Sequence, residues 1–134
     1  MEKRFELNAS SEVLSPFRKE LRGILSQEGW EKKTTEEILL CVDEALTNII
    51  RHAYQGKPGK MTVVVHADHE KFEIVMEDQG KKFDPTQVPS PELPRQKPGG
   101  LGVHFIRTIM DQMIYDDQYP QGNRLRLIKH RHKI

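Results

Sequence analysis

Among its 134 residues the chain has one cysteine, Cys41. That excludes an intramolecular disulfide and a Cys-x-x-Cys metal knuckle. No apolar run approaches the roughly 18 residues that a membrane span needs, so no membrane contact is expected. The opening stretch, MEKRFELNASS, carries charges and no apolar segment. No secretory leader is therefore expected, and the compartment read from this is the cytoplasm. An excess of one charge is also missing, since 21 Lys and Arg face 20 Asp and Glu for a net charge of +1. A direct nucleic-acid binder normally carries a strong basic excess. The locally basic RLRLIKHRHKI near the end reads better as a solvated strand face. With no internal repeat, what remains is one globular domain, 1–134, with 36% hydrophobic and 31% charged residues, long enough to bury a real core.

Proline is unevenly placed. Pro85, Pro89, Pro91, Pro94 and Pro98 are five of the eight prolines and crowd into residues 84–100. Proline lacks a backbone donor and restricts its predecessor, so this stretch is expected to hold neither helix nor central strand. A loop of that length in a compact domain is a lid or a binding loop, or else disordered. Around it the elements alternate. Phe5 and Leu7 suggest a short strand at 4–8. Val13, Leu14, Phe17, Leu21, Ile24 and Leu25 recur at helical spacing until Gly29. Thr34 and Glu37 form a capping box for a second helix running to about Tyr54. MTVVVHA (61–67) and KFEIVMED (71–78) read as a hairpin. Residues 99–102 open a third helix with Val103, Ile106, Ile109 or Met110, and Met113 inward. Tyr115 starts another strand, and 123–131 is the last. The expected class is α+β, a two-layer sandwich with helices on one face of a mixed, mostly antiparallel sheet.

The second helix carries two faces. At about 100° per residue, Ile38, Val42, Leu46, Ile49 and Ala53 fall on the core side, while Cys41, Glu44, Asn48, Arg51 and His52 fall opposite. A solvated polar face accounts for that stripe. A mid-helix Asn is nonetheless a costly choice, because its amide competes for the backbone. With Glu44 one turn away, an amide oxygen and a carboxylate on one face suit a hard cation and a proton acceptor. Next, the hairpin ends in Glu77-Asp78-Gln79-Gly80. That is either a plain acidic turn or an Asp placed to accept from an exocyclic amine, with Gly80 leaving room for a base ring. Last comes Gly99-Gly100-Leu101-Gly102 at a helix start, where free N–H groups and positive partial charge favour phosphate. No GKS or GKT follows, so it is not a P-loop. A hinge that binds nothing fits it as well.

In this order the residues resemble the ATP-binding fold of the GHKL superfamily, which includes gyrase, a heat-shock chaperone, histidine kinases and MutL. DEALTNIIRHAY resembles its N box, DQGKKFDP its first glycine box and GGLGV its second. VDEALTNIIRHAY and GGLGVHFIRTIMD resemble most the bacterial anti-sigma-factor serine kinases of partner-switching systems. The resemblance runs over residues 5–129. It implies ATP and Mg2+ as cofactors. Asn48 would ligate Mg2+ and Glu44 would be the general base. Asp78 would read adenine, with Gly80 under the ring. Gly100 and Gly102 would lie near the phosphates, with Leu101 between them. His52 and Phe83 would sit at the pocket rim. The lid at 84–100 departs from the family in its proline content. The family often has Gly-Thr before the last strand, the Thr helping to bind adenine through a water; here Gly122-Asn123 stands there, and Asn123 is the expected counterpart.

The implied activity is an ATP-dependent serine kinase that phosphorylates a small anti-sigma-factor antagonist and also holds a sigma factor inactive. A homodimer is implied as well, with Phe5, Leu7 and the first helix as its expected interface. Arg95, Lys97 or Arg107 could reach the terminal phosphate, although solvated side chains are commoner. The rival reading is a non-catalytic nucleotide-binding module that grips a regulator. A histidine-kinase core needs a phosphoacceptor-His helix first, and no His precedes Thr34. His66, His69, His130 and His132 lack the partners of a metal site. Cys41 has no base placed for it and is expected to be a packing residue.

Overall fold

The structure, a computed structural model, describes residues 1–88 and 101–131. The elements are β1 (Glu2–Asn8), α1 (Leu14–Gln27), α2 (Lys32–Asn48), β2 (Lys60–Ala67), β3 (Lys71–Asp78), α3 (Leu101–Ile109), β4 (Gln112–Tyr115) and β5 (Asn123–His130). Short 3-10 turns cover Ser11–Val13 and Pro85–Gln87, and a π-helical turn covers Ile49–Ala53. The five strands lie in the order β1-β2-β3-β5-β4. Every neighbouring pair is antiparallel, so the sheet is not mixed as expected.

Alternation sets the faces. Along β2 and β3 successive side chains point to opposite sides of the sheet. Met61, Val63, Val65 and Ala67 are buried, as are Phe72, Ile74 and Met76. The same parity carries Asp78, the last residue of β3, to the helix side, where it too is buried. Phe17, Leu21, Ile24 and Leu25 of α1, and Ile38, Val42 and Leu46 of α2, close the core from above. The opposite face of β5 is solvated and paired. Arg124 meets Glu77 at 2.6 Å and Asp116 at 3.1 Å, and Arg126 meets Glu73 at 3.0 Å. Arg124 and Arg126 of the basic terminal stretch are thus balanced by carboxylates of β3 and of the residue after β4.

Several boundaries differ from the sequence reading. Helix α2 starts at Lys32 with Glu31 as N-cap, and no side chain caps it, so Thr34 and Glu37 lie inside the helix. Its α-helical part stops at Asn48, and the chain continues as a π turn whose Tyr54 N–H donates to the Ile49 carbonyl at 3.0 Å. Tyr115 ends β4 rather than starting it. Asp84 caps the 3-10 turn that follows, with Pro85 at its first position, where proline costs no hydrogen bond. Cys41 is fully buried in the core cluster, so the polar stripe of α2 is narrower than its helical angles suggest.

Candidate active site

A narrow cleft opens where α2, the ends of β3 and β4, the start of β5 and α3 converge. Its wall includes Asn48, Asp78, Phe83, Ile106, Tyr115 and Asn123. Apolar side chains make up most of the surface, so each polar group on it is conspicuous.

The strongest of these is Asp78. It pairs in register with Asn123 across the β3–β5 ladder, and both side chains face the helix layer. Asp78 Oδ1 accepts from the Gly80 N–H at 2.9 Å and from Asn123 Nδ2 at 2.9 Å. Asp78 Oδ2 is buried and has no hydrogen-bond partner among the described residues. Burial pushes the Asp78 carboxyl above the usual carboxylate range; the bonds from Asn123 and Gly80 pull the other way. A buried acceptor without a partner is costly. In a cleft wall it is the mark of a group that waits for a donor.

Phe83 lies on the cleft wall and His52 stacks on it, with ring centroids 4.5 Å apart and an interplanar angle of 18°. His52 is exposed and reaches the cleft only through Phe83. A Cβ on Gly80 would collide with the Ala53 backbone, and the next N–H, from Lys81, donates to the Ala53 carbonyl at 2.8 Å. Glycine at 80 thus lets the loop after β3 dock on the π turn.

In the last turn of α2, Glu44 and Asn48 are half-buried and one turn apart, as the spacing predicts. A Cβ on Gly102 would run into the Glu44 carboxylate, so the first turn of α3 sits directly on Glu44. Leu101 begins that helix, whereas Gly100, Arg95, Lys97 and the rest of the expected lid beyond residue 88 lie outside the described residues. Arg107 is committed elsewhere, donating to the Val88 carbonyl at 2.7 Å and the Thr86 carbonyl at 2.6 Å. Burial, with Glu37 and Glu44 adding to it, pushes the Cys41 thiol up to about 12, so this cysteine is no nucleophile. Among the described residues no group of three or more His, Cys, Asp or Glu side chains could hold a metal ion.

Two tyrosines escaped the sequence reading. Tyr115 lines the cleft and its hydroxyl donates to Asn123 Oδ1 at 2.5 Å. Tyr54 accepts from the Gln79 N–H at 2.9 Å and donates to the Lys60 carbonyl at 2.5 Å, which braces the turn after Asp78. Periodicity could not find either, since both contacts are set by the sheet and not by neighbours in sequence.

The family described as histidine kinase-like ATPase domain matches residues 7–129. A serine-protein kinase RsbW of Listeria innocua is 33% identical over 124 residues, covering 84% of this chain and 78% of that one. An RsbW of Bacillus cereus is 30% identical, covering 87% and 82% respectively. Among solved structures, the RsbU and RsbW domains of a Mycobacterium tuberculosis protein superpose with a TM-score of 0.69 at 14% identity. That match covers 97% of this chain, which spans 32% of the larger one, and at such identity it speaks for the fold alone. A blue-light-activated histidine kinase of Erythrobacter litoralis superposes with a TM-score of 0.58 over 90% of this chain and 60% of that one, again as a likeness of fold.

Proposed function

The chain belongs to the histidine kinase-like ATPase family, with serine-protein kinases RsbW among its relatives, and we propose that it transfers the terminal phosphoryl group of ATP to a serine of a small partner protein. The observation that carries this reading is the unpartnered Asp78 Oδ2 in the wall of an otherwise apolar cleft. An exocyclic amine is the donor that such a lone carboxylate oxygen would accept from, and adenine offers one.

From that anchor the remaining roles follow along the cleft. Asn48, one helical turn beyond Glu44, would hold Mg2+ through its amide oxygen, and the ion when bound neutralises phosphate charge. The residue set suits this, since Asn48 brings a hard oxygen to the cleft wall with the Glu44 carboxylate one turn away, and phosphates and waters would complete the ion's shell. The first turn of α3, at Leu101 and Gly102, together with Gly100 before it, would offer backbone N–H groups to the phosphates. Glu44 lies beneath that turn. It would take the proton of the target serine hydroxyl as the new P–O bond forms and the bond to ADP breaks. Phosphoryl transfer depends mainly on positioning and electrostatics, so few side chains suffice. Phe83, backed by His52, would flank the base, and Gly80 would keep the loop beneath it close to the π turn.

The partners in this reading are an anti-sigma-factor antagonist as substrate and a sigma factor held inactive, in the cytoplasm, by a single kinase domain. No helix among the described residues is long and apolar enough to cross a membrane. A homodimer is part of the reading. The groove between β1 and α1, floored by Phe5, Leu7 and Phe17, is the open apolar surface that would serve it. The deciding experiment is phosphate transfer to a cognate antagonist, followed by mass shift. Transfer that needs Glu44 supports a kinase. ATP binding with no transfer by the wild-type chain overturns catalysis and leaves a nucleotide-binding module.

A further inference from the structure

Asn123 is 5% exposed and stands against the nucleotide cleft, yet every polar valence of its side chain is taken by the protein. An amide group has two hydrogens to donate and two lone pairs to accept with. Nδ2 donates to Asp78 Oδ1 at 2.9 Å and to the Lys81 carbonyl at 2.9 Å. Oδ1 accepts from the Phe83 N–H at 2.9 Å and from the Tyr115 hydroxyl at 2.5 Å. Turning the amide over would set its NH2 against the Phe83 N–H and its oxygen against a carboxylate and a carbonyl. Its orientation is therefore fixed by chemistry. The Tyr115 proton is fixed with it, because Oδ1 has no hydrogen of its own to give. Around Asn123 the cleft is left with acceptors, Asp78 Oδ2 and the lone pairs of the Tyr115 oxygen.

Resting on the reading of the cleft as an adenine-nucleotide site, we propose that Asn123 is a positioning residue and not a ligand contact, which holds the Asp78 carboxylate with its free oxygen toward the cleft as an acceptor and so makes the site prefer a base with a ring amino group over one with a ring oxo group. Gly122 is part of the device. Its φ is +150°, and a Cβ there would strike the Asp78 carbonyl oxygen, so only glycine lets β5 begin this close to the end of β3. An asparagine free to turn would present donor or acceptor as the ligand required, and the site would accept both kinds of base.

The test is a ligand-by-residue cycle. ADP and inosine diphosphate are titrated calorimetrically into the wild-type chain, Asn123→Ala and Asn123→Thr, each shown folded by thermal melting. Wild type should favour ADP at least about tenfold, the worth of a hydrogen bond to a charged acceptor. Asn123→Ala should lose ADP affinity more than inosine diphosphate affinity, bringing the ratio to about threefold or less. Asn123→Thr keeps a hydroxyl that can donate to Asp78 Oδ1, and should recover a ratio above that of the alanine variant. If Asn123→Ala does not fold, Asn123→Leu, of similar shape but without a hydrogen-bonding group, replaces it and the same ratio decides. A purely structural role would weaken both nucleotides equally, and an unchanged ratio in the alanine or leucine variant overturns the inference. Wild-type protein that binds the two nucleotides alike also overturns it, while the phosphate-transfer assay still decides the kinase reading separately.

Discussion

Asp78→Asn should make the nucleotide-free protein more stable while abolishing its function. The carboxylate is 2% exposed, and one of its oxygens has no hydrogen-bond partner among the described residues. Burial holds its pKa above the usual carboxylate range. The folded value thus exceeds the unfolded one. For a group shifted this way, its contribution is fully present below the ordinary carboxylate range and is lost as pH rises through the raised value. Above that raised value wild type bears the cost of an ionised, half-satisfied Asp78. An amide of the same shape keeps an oxygen for the Gly80 N–H and Asn123, and leaves an unpaired but uncharged NH2. Removing the charge should return about 1 kcal/mol, at the low end of what an unsatisfied buried polar group costs. In a domain this size that is a rise of about 3–4 °C in Tm. The gain should shrink as pH falls and wild-type Asp78 takes up its proton. ADP affinity should drop about a hundredfold, since a donor would now face the ligand's amine. The assay is calorimetric melting from pH 4.5 to 8.5 with ADP titration at pH 7.5. A variant no more stable than wild type at pH 7.5, or a gain that does not change with pH, would refute the reasoning.

Glu44→Gln should lower phosphate transfer at least about 100-fold and leave the ADP Kd within twofold, read by mass shift and calorimetry. Asn48→Ala should weaken Mg2+-ADP binding and leave the affinity for metal-free ADP unchanged, so titrations with and without chelator separate the two. Cys41, with a thiol pushed up to about 12, should resist iodoacetamide in the native chain at pH 8 and react once urea unfolds it; rapid native labelling would contradict its burial. Gly122→Ala forces a Cβ into the Asp78 backbone at a φ of +150° and should lower stability by about 1–3 kcal/mol, seen as a lower urea midpoint.

Local pattern alone sufficed for much of this protein. Two-residue alternation in residues 61–67 and 71–78 marked the hairpin, and helical spacing marked α1, because each periodicity expresses one element's own geometry. The spacing of Glu44 and Asn48 put both on one face of α2 for the same reason. The order of Glu, Asn, Asp-x-Gly and Gly-rich helix start was enough to resemble a nucleotide fold. What the chain could not show in one dimension was set by packing between distant segments. Cys41 lies at the angle of the polar stripe, yet it is buried in the core. The π turn at Ile49–Ala53, onto which the Gly80 loop docks, replaced a helix expected to run straight on. Asn123 sits 45 residues from Asp78 in sequence and opposite it in the ladder, so only strand register could join the amide to the carboxylate. The amino acids chose which groups were present and which face of each element they occupied. The tertiary structure chose their partners, because the hydrogen bonds that orient Asp78 and leave one oxygen open exist only once β3, β4 and β5 lie side by side.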